Sequence, residues 1–158
     1  MARLPKQFFL AARDPDGAKN SSSPVFTVQL PSAFVEANKC NPHYTYRVTY
    51  SADRGGMYFI GLLAGPDNLR SYSYMGLVHP ETGDIRLTRA SKFNESTLAV
   101  KLVKRVFANV WAETWDRIEA AGFALHHLDR CGRCGKPLTV PSSILSGLGP
   151  ICAGKMGL

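Results

Sequence analysis

Acidic residues are few: 12 Asp and Glu stand against 19 Lys and Arg, for a net charge of +7. None of these acids forms a convincing pair, which removes the two-carboxylate arrangement used for general acid–base chemistry. Long apolar runs are also missing. The longest, such as "FIGLLAG" from Phe59, are far too short to span a bilayer, so no membrane partner is expected. The opening "MARLPKQFFLAAR" has a basic residue and a brief apolar patch but no full-length apolar core or cleavage context, and is not read as a signal peptide. There is no Walker-type loop, no G-x-S-x-G and no H-E-x-x-H. The chain is therefore expected to be a binding protein, not an enzyme, with no small-molecule substrate. His43 and His79 each sit beside a proline and read as surface residues.

What is present describes a globular protein. Its 158 residues suit one domain, or one domain with a small appendage, and 45% hydrophobic against 20% charged argues against global disorder. A cytoplasmic setting is the default. There, clustered cysteines serve more often as metal ligands than as disulfides.

Along the chain, residues 1–24 end in "DPDGAKNSSSP" and read as a partly flexible segment. "VFTVQL" has strand character, and "PSAFVEANKCNPH" holds a short helix ending before Pro42. "YTYRVTY" alternates, with Tyr44, Tyr46, Val48 and Tyr50 on one side and Thr45, Arg47 and Thr49 on the other. "MYFIGLLA" reads as a partner strand buried on both faces, "GPDNLRS" as a loop, and "YSYMGLVH" with "IRLTRA" as a hairpin around "PETGD". Links this short exclude helical crossovers, so the sheet is predicted to be antiparallel. Leu98, Leu102, Val103, Val106, Phe107, Val110, Trp111, Trp115 and Ile118 then recur at spacings of three and four. They predict one long helix from about Ser96 to Ala121, capped by Asn94 or Ser96 and packed across the sheet. The fold class is α+β: an antiparallel sheet and one long helix over 25–125, then a small zinc-binding module over 126–158.

The module holds three of the four cysteines. Cys131-Gly-Arg-Cys134 supplies two sulfurs on one tight turn, and Cys152 returns within the range of ordinary zinc loops. A thioredoxin-like pair would need a helix starting at the motif, whereas Gly135 and Pro137 follow at once. Zinc is the favoured reading, one ion held structurally. His127, at the end of the strand "FALHH", is the first choice for fourth ligand, with His126 and Cys40 as the other candidates. Pro141-Ser142-Ser143 is expected to start a helical turn whose Ile144 and Leu145 bury against the knuckle. Gly147 and Gly149 then bend the chain toward the metal.

The string "HLDRCGRCGKPLTVPSSILSGLGPIC" resembles a small zinc-ribbon-like domain of uncharacterised function found at the C-termini of phage and bacterial proteins. That pattern is H-x3-C-x2-C-G-[RK]-x-L-T-x-P-x-S-I-x2-G-[IL]-G-P-x-C. The resemblance covers about the last 30 residues and implies His127, Cys131, Cys134 and Cys152 as ligands. It is nearly silent on activity.

The surplus positive charge falls in two blocks. Arg86, Arg89, Lys92, Lys101, Lys104 and Arg105 dominate residues 80–110, while Arg130, Arg133 and Lys136 surround the knuckle. Both are candidate contacts for nucleic acid, with Arg133 expected to point outward from the knuckle. The tyrosines add stacking faces if exposed, which favours single strands. The alternative is a phage factor that binds a host protein, its zinc only a staple.

Overall fold

The computed structural model describes residues 2–12, 23–66 and 71–158. The loops expected before Val25 and after Gly65 lie largely outside them. Six described strands form one antiparallel sheet: β1 (Val25–Gln29), β2 (His43–Ser51), β3 (Met57–Leu63), β4 (Tyr72–Val78), β5 (Ile85–Arg86) and β6 (Ala124–His127). Their order is β5-β4-β3-β2-β1-β6. The first five pair in chain order, and β6 returns late in the chain to pair with β1.

Strand alternation decides which face is covered. Phe26, Val28, Tyr46, Val48, Ile60, Leu62 and Leu125 all point into the core. The Tyr46 hydroxyl donates to the Ala99 carbonyl at 2.7 Å, so no polar group is stranded there, and burial pushes its pKa up. Register slips between Ile60 and Gly61, whose partners are Gly76 and Tyr74. Met75 is thus the extra residue of a bulge; it stays in the core, while Tyr72, Tyr74 and Leu77 share the other face. On that face no residue of β3 is buried: Gly61, Phe59 and Leu63 are half-exposed and Met57 exposed. The expectation that β3 is buried on both sides fails because Phe9, Phe26, Phe107 and Trp111 bring helices onto one side only.

The long helix is two. α3 (Leu98–Trp111) buries Ala99, Val100, Leu102, Val103, Val106, Phe107 and Val110, and α4 (Trp115–Ala120) buries Ile118. Between them Glu113 takes a left-handed conformation, φ 57°. Its amide donates to the Val110 carbonyl at 3.1 Å and that of Thr114 to Asn109 at 2.8 Å, the paired bonds of a Schellman stop. The apolar stripe runs through this break, so periodicity alone reads it as continuous. Neither expected cap serves α3: Thr97 occupies the position, and Asn94 Oδ1 accepts from the Ser96 amide instead.

The N-terminal residues are core. α1 (Lys6–Phe9) buries Phe8 and Phe9, and Leu4, Ala11 and Ala12 are buried beside it. Phe9 meets Phe26 and Phe107 edge-on at 4.8 and 4.9 Å. Arg3 is held by Asp116 at 2.7 Å and Glu119 at 2.8 Å, so the acids of α4 anchor this end. Residues 2–12, part of the segment expected to be partly flexible, pack into the core. The division placed at 125/126 cuts through β6, which belongs to the sheet and leads into the cysteine module. α2 (Ser32–Asn38) stops at left-handed Lys39, ahead of Pro42.

Candidate metal centre

The module begins as a narrow hairpin. Cys131 N donates to the Lys136 carbonyl at 2.8 Å, Leu138 N to Asp129 at 2.9 Å, and Gly135 N closes the turn onto Cys131 at 2.8 Å. α5 (Pro141–Ser146) follows with proline in its first turn and ends at left-handed Gly147. α6 (Pro150–Lys155) then carries Cys152 in its first turn. The helical turn at Pro141 is as the sequence predicts, but Ile144 and Leu145 are exposed; Leu138, Ser143 and Leu148 fill the interior instead.

Two glycines fit this module against the body. A Cβ on Gly132 would stand 2.8 Å from the Phe8 ring, and one on Gly147 2.5 Å from it. Phe8 thus lies under the knuckle, and its ring centre is 6.2 Å from that of His127.

The sulfurs of Cys131, Cys134 and Cys152 all lie within 4.8 Å of one another, and all four cysteines of the chain are free thiols. Burial pushes the Cys131 thiol up, but the amides of Gly149, Cys134 and Arg133 outweigh it and leave its pKa below the ordinary value. Burial raises Cys152, its neighbours Cys131 and Cys134 add to this, and Arg133 opposes them. Arg133 Nη1 donates to Cys152 Sγ at 3.7 Å, so this side chain is turned along the sulfurs and not outward. Tetrahedral zinc, with sulfur at about 2.3 Å, sets sulfurs about 3.8 Å apart. Small rotations about the cysteine side-chain bonds bring the cluster to that spacing. Three thiols on a backbone that stabilises thiolate fit a metal ion.

His127 does not join them. Its side chain is only 2% exposed, and both ring nitrogens are spent on backbone. Nδ1 accepts from the Asp129 amide at 2.9 Å, and Nε2 donates to the Ile144 carbonyl at 2.6 Å. This pair of bonds fixes the neutral Nε2–H tautomer. The Asp129 carboxylate, 3.9 Å from Nδ1, forms no ion pair while that nitrogen accepts. His127 is thus a buried clamp between the hairpin and α5. His126 faces the other side of β6 and meets Gln29 Oε1 at 2.9 Å; Cys40 follows α2 and packs against the core. Among the described residues the metal-capable group is the three cysteines.

The predicted basic residues divide. Lys101 and Arg105 are exposed on α3, away from the sheet; Lys104 pairs with Glu95, and Arg105 stacks over Phe123 at 5.5 Å. Arg86 pairs across from Leu77 and so belongs to the sheet face the core does not use. Arg89 and Lys92 are exposed just beyond it, the Lys92 amide bonding the Tyr74 carbonyl. Arg130 and Lys136 are exposed on the hairpin.

That second sheet face carries Tyr72 and Tyr74, two of the tyrosines expected to offer stacking faces, beside Arg47, Arg54 and Phe59, which the sequence reading did not single out for binding. Phe59 and Tyr74 contact at 6.1 Å, Arg47 lies over the Tyr72 ring at 4.4 Å, and Arg54 over Phe59 at 5.8 Å. A shallow depression of about 140 Å³ runs among Arg47, Phe59, Tyr72 and Tyr74. The signal was available: alternation in "YTYRVTY" and "MYFIGLLA" puts Arg47 and Phe59 opposite Tyr46 and Ile60.

Together these features define a small α+β protein with a C-terminal cysteine cluster able to hold a metal ion. Residues 124–157 match the model of a family described as a family of unknown function (DUF6011). No curated protein and no solved structure matches the chain. No helix among the described residues is long and apolar enough to cross a membrane.

Proposed function

We propose that this protein binds single-stranded nucleic acid on the open face of its sheet, with one structural zinc ion in the cysteine module and no catalytic role. The observation that carries the reading is the row of Phe59, Tyr72 and Tyr74 on neighbouring strands, with Arg47 and Arg54 over two of the rings. Every base has a flat face that stacks on such rings, and guanidinium groups beside them meet phosphates, which duplex DNA presents without free bases. Arg86 extends the same face. The cations of α3 lie on the opposite layer and act at most as a diffuse field. A cytoplasmic setting, that of a host if the chain is phage-encoded, goes with this reading.

The test is titration of labelled single- and double-stranded oligonucleotides at two salt concentrations. Single strands are expected to bind more tightly, with affinity falling steeply as salt rises. Phe59→Ala and Tyr72→Ala should each cost about 1–3 kcal/mol of binding, whereas Lys101→Ala should change little. No binding at low salt would overturn the reading. A protein partner is the second reading, favoured by Val140, Ile144, Leu145 and Ile151, which are exposed together on the module, Ile151 at 75%.

A further inference from the structure

We infer that the metal in the cysteine module is held by three thiolates alone, and that its fourth coordination position opens to a small anionic donor from outside the chain. The inference rests on the metal reading of the cysteine cluster. It starts from His127, whose two nitrogens are both committed to backbone and whose ring sits on the Phe8 side of the module. Recruiting it would break either the Ile144 or the Asp129 bond of a ring that is only 2% exposed.

The other side of the sulfurs is different. Cys131, Cys134 and Cys152 all border a cavity of about 330 Å³. Its wall also carries Arg133, Lys136 and Lys155, and none of its lining residues is acidic. A divalent ion with three thiolates carries one net negative charge. Three cations around it leave the mouth positive, so an anion entering the fourth position is drawn in and not repelled. Arg133, already against Cys152, stands where it meets both the sulfurs and the incoming ligand. A closed four-residue site would need no such mouth, whereas zinc held by three protein ligands keeps a fourth position for water or another donor.

Cobalt(II)-loaded full-length protein tests this, with azide as the probe. Wild-type protein should show thiolate-to-cobalt charge transfer and tetrahedral ligand-field bands that shift saturably as azide is added. Arg133→Ala should keep the charge-transfer bands and raise the azide concentration at half-saturation about fivefold, the effect of losing one partly screened cation. Heteronuclear NMR of the zinc-loaded protein, labelled at histidine, gives an answer that needs no variant. His127 is expected as the Nε2–H tautomer without a metal-bound nitrogen. Failure to take up cobalt would overturn the metal reading itself. Cobalt uptake with bands insensitive to azide, or a metal-bound nitrogen on His127, would overturn the open position while leaving the metal reading standing.

Discussion

The sheet-and-helix body and the cysteine module are built on opposite economies of burial. In the body, rings lie against rings: Phe9, Phe26, Tyr46 and Phe107 are all essentially buried, and the core runs from Leu4 to Leu125. In the module the buried set is Cys131, Leu138, Ser143, Leu148 and Cys152, while Val140, Ile144, Leu145 and Ile151 face outward. Apolar burial at roughly 25 cal/mol per Å² supports the first and falls short for the second. Phe8 supports the module on one side, and the proposed metal ion would support it on the other.

Removing the metal should be the largest way to break that contrast. Cys131→Ser, Cys134→Ser and Cys152→Ser are each expected to abolish metal retention, measured by elemental analysis of freshly purified protein. Chelation should melt the module, since structural zinc in small modules contributes about 10–16 kcal/mol of apparent binding energy. The second effect is at the junction. Phe8→Ala is expected to cost about 3–5 kcal/mol and, unlike substitutions elsewhere in the body, to lower metal affinity too. Denaturant unfolding with and without chelator measures both. Residues 1–125 alone should melt well below the full chain, since truncation strips the end of β6 and uncovers Phe8. An unchanged melting temperature would mean that the two regions are independent.

A smaller change sharpens the comparison from within the body. Glu113→Gly relieves a left-handed residue with a side chain and should stabilise the protein by about 1 kcal/mol, seen as a higher urea midpoint. Metal affinity should stay where it was.

Much of the body was legible because strands and amphipathic helices write their burial into a period. Tyr46 and Val48, or Leu102 and Val106, can be placed inside from spacing alone. Leu4, Phe8 and Phe9 could not: α1 is one turn long, too short to show a period, and turn-forming residues follow it in sequence. Glu113 hid the helix break because its neighbours keep the apolar phase and the left-handed position is not glycine. Cys131, Cys134 and Cys152 were legible, since a two-residue gap forces two sulfurs onto one turn. His127 was nominated as a ligand because spacing sees which residues can reach a metal. It does not see the Ile144 carbonyl and Asp129 amide that claim the ring first.

The strand order has a consequence for how the chain is made. β1 to β5 pair in chain order and can form while the rest is still being synthesised, but Phe26 finds His127 only after the intervening hundred or so residues have emerged. Closing so long a loop is slow, and non-local pairings of this kind are typically late events. Until then the β1 edge stands unpaired, open to a neighbouring chain. The cysteine hairpin follows β6 directly, so capture of the proposed metal and closure of that edge draw on the same stretch of chain. Zinc starvation in a producing cell should thus appear first as aggregation of new chains, with molecules already folded persisting longer.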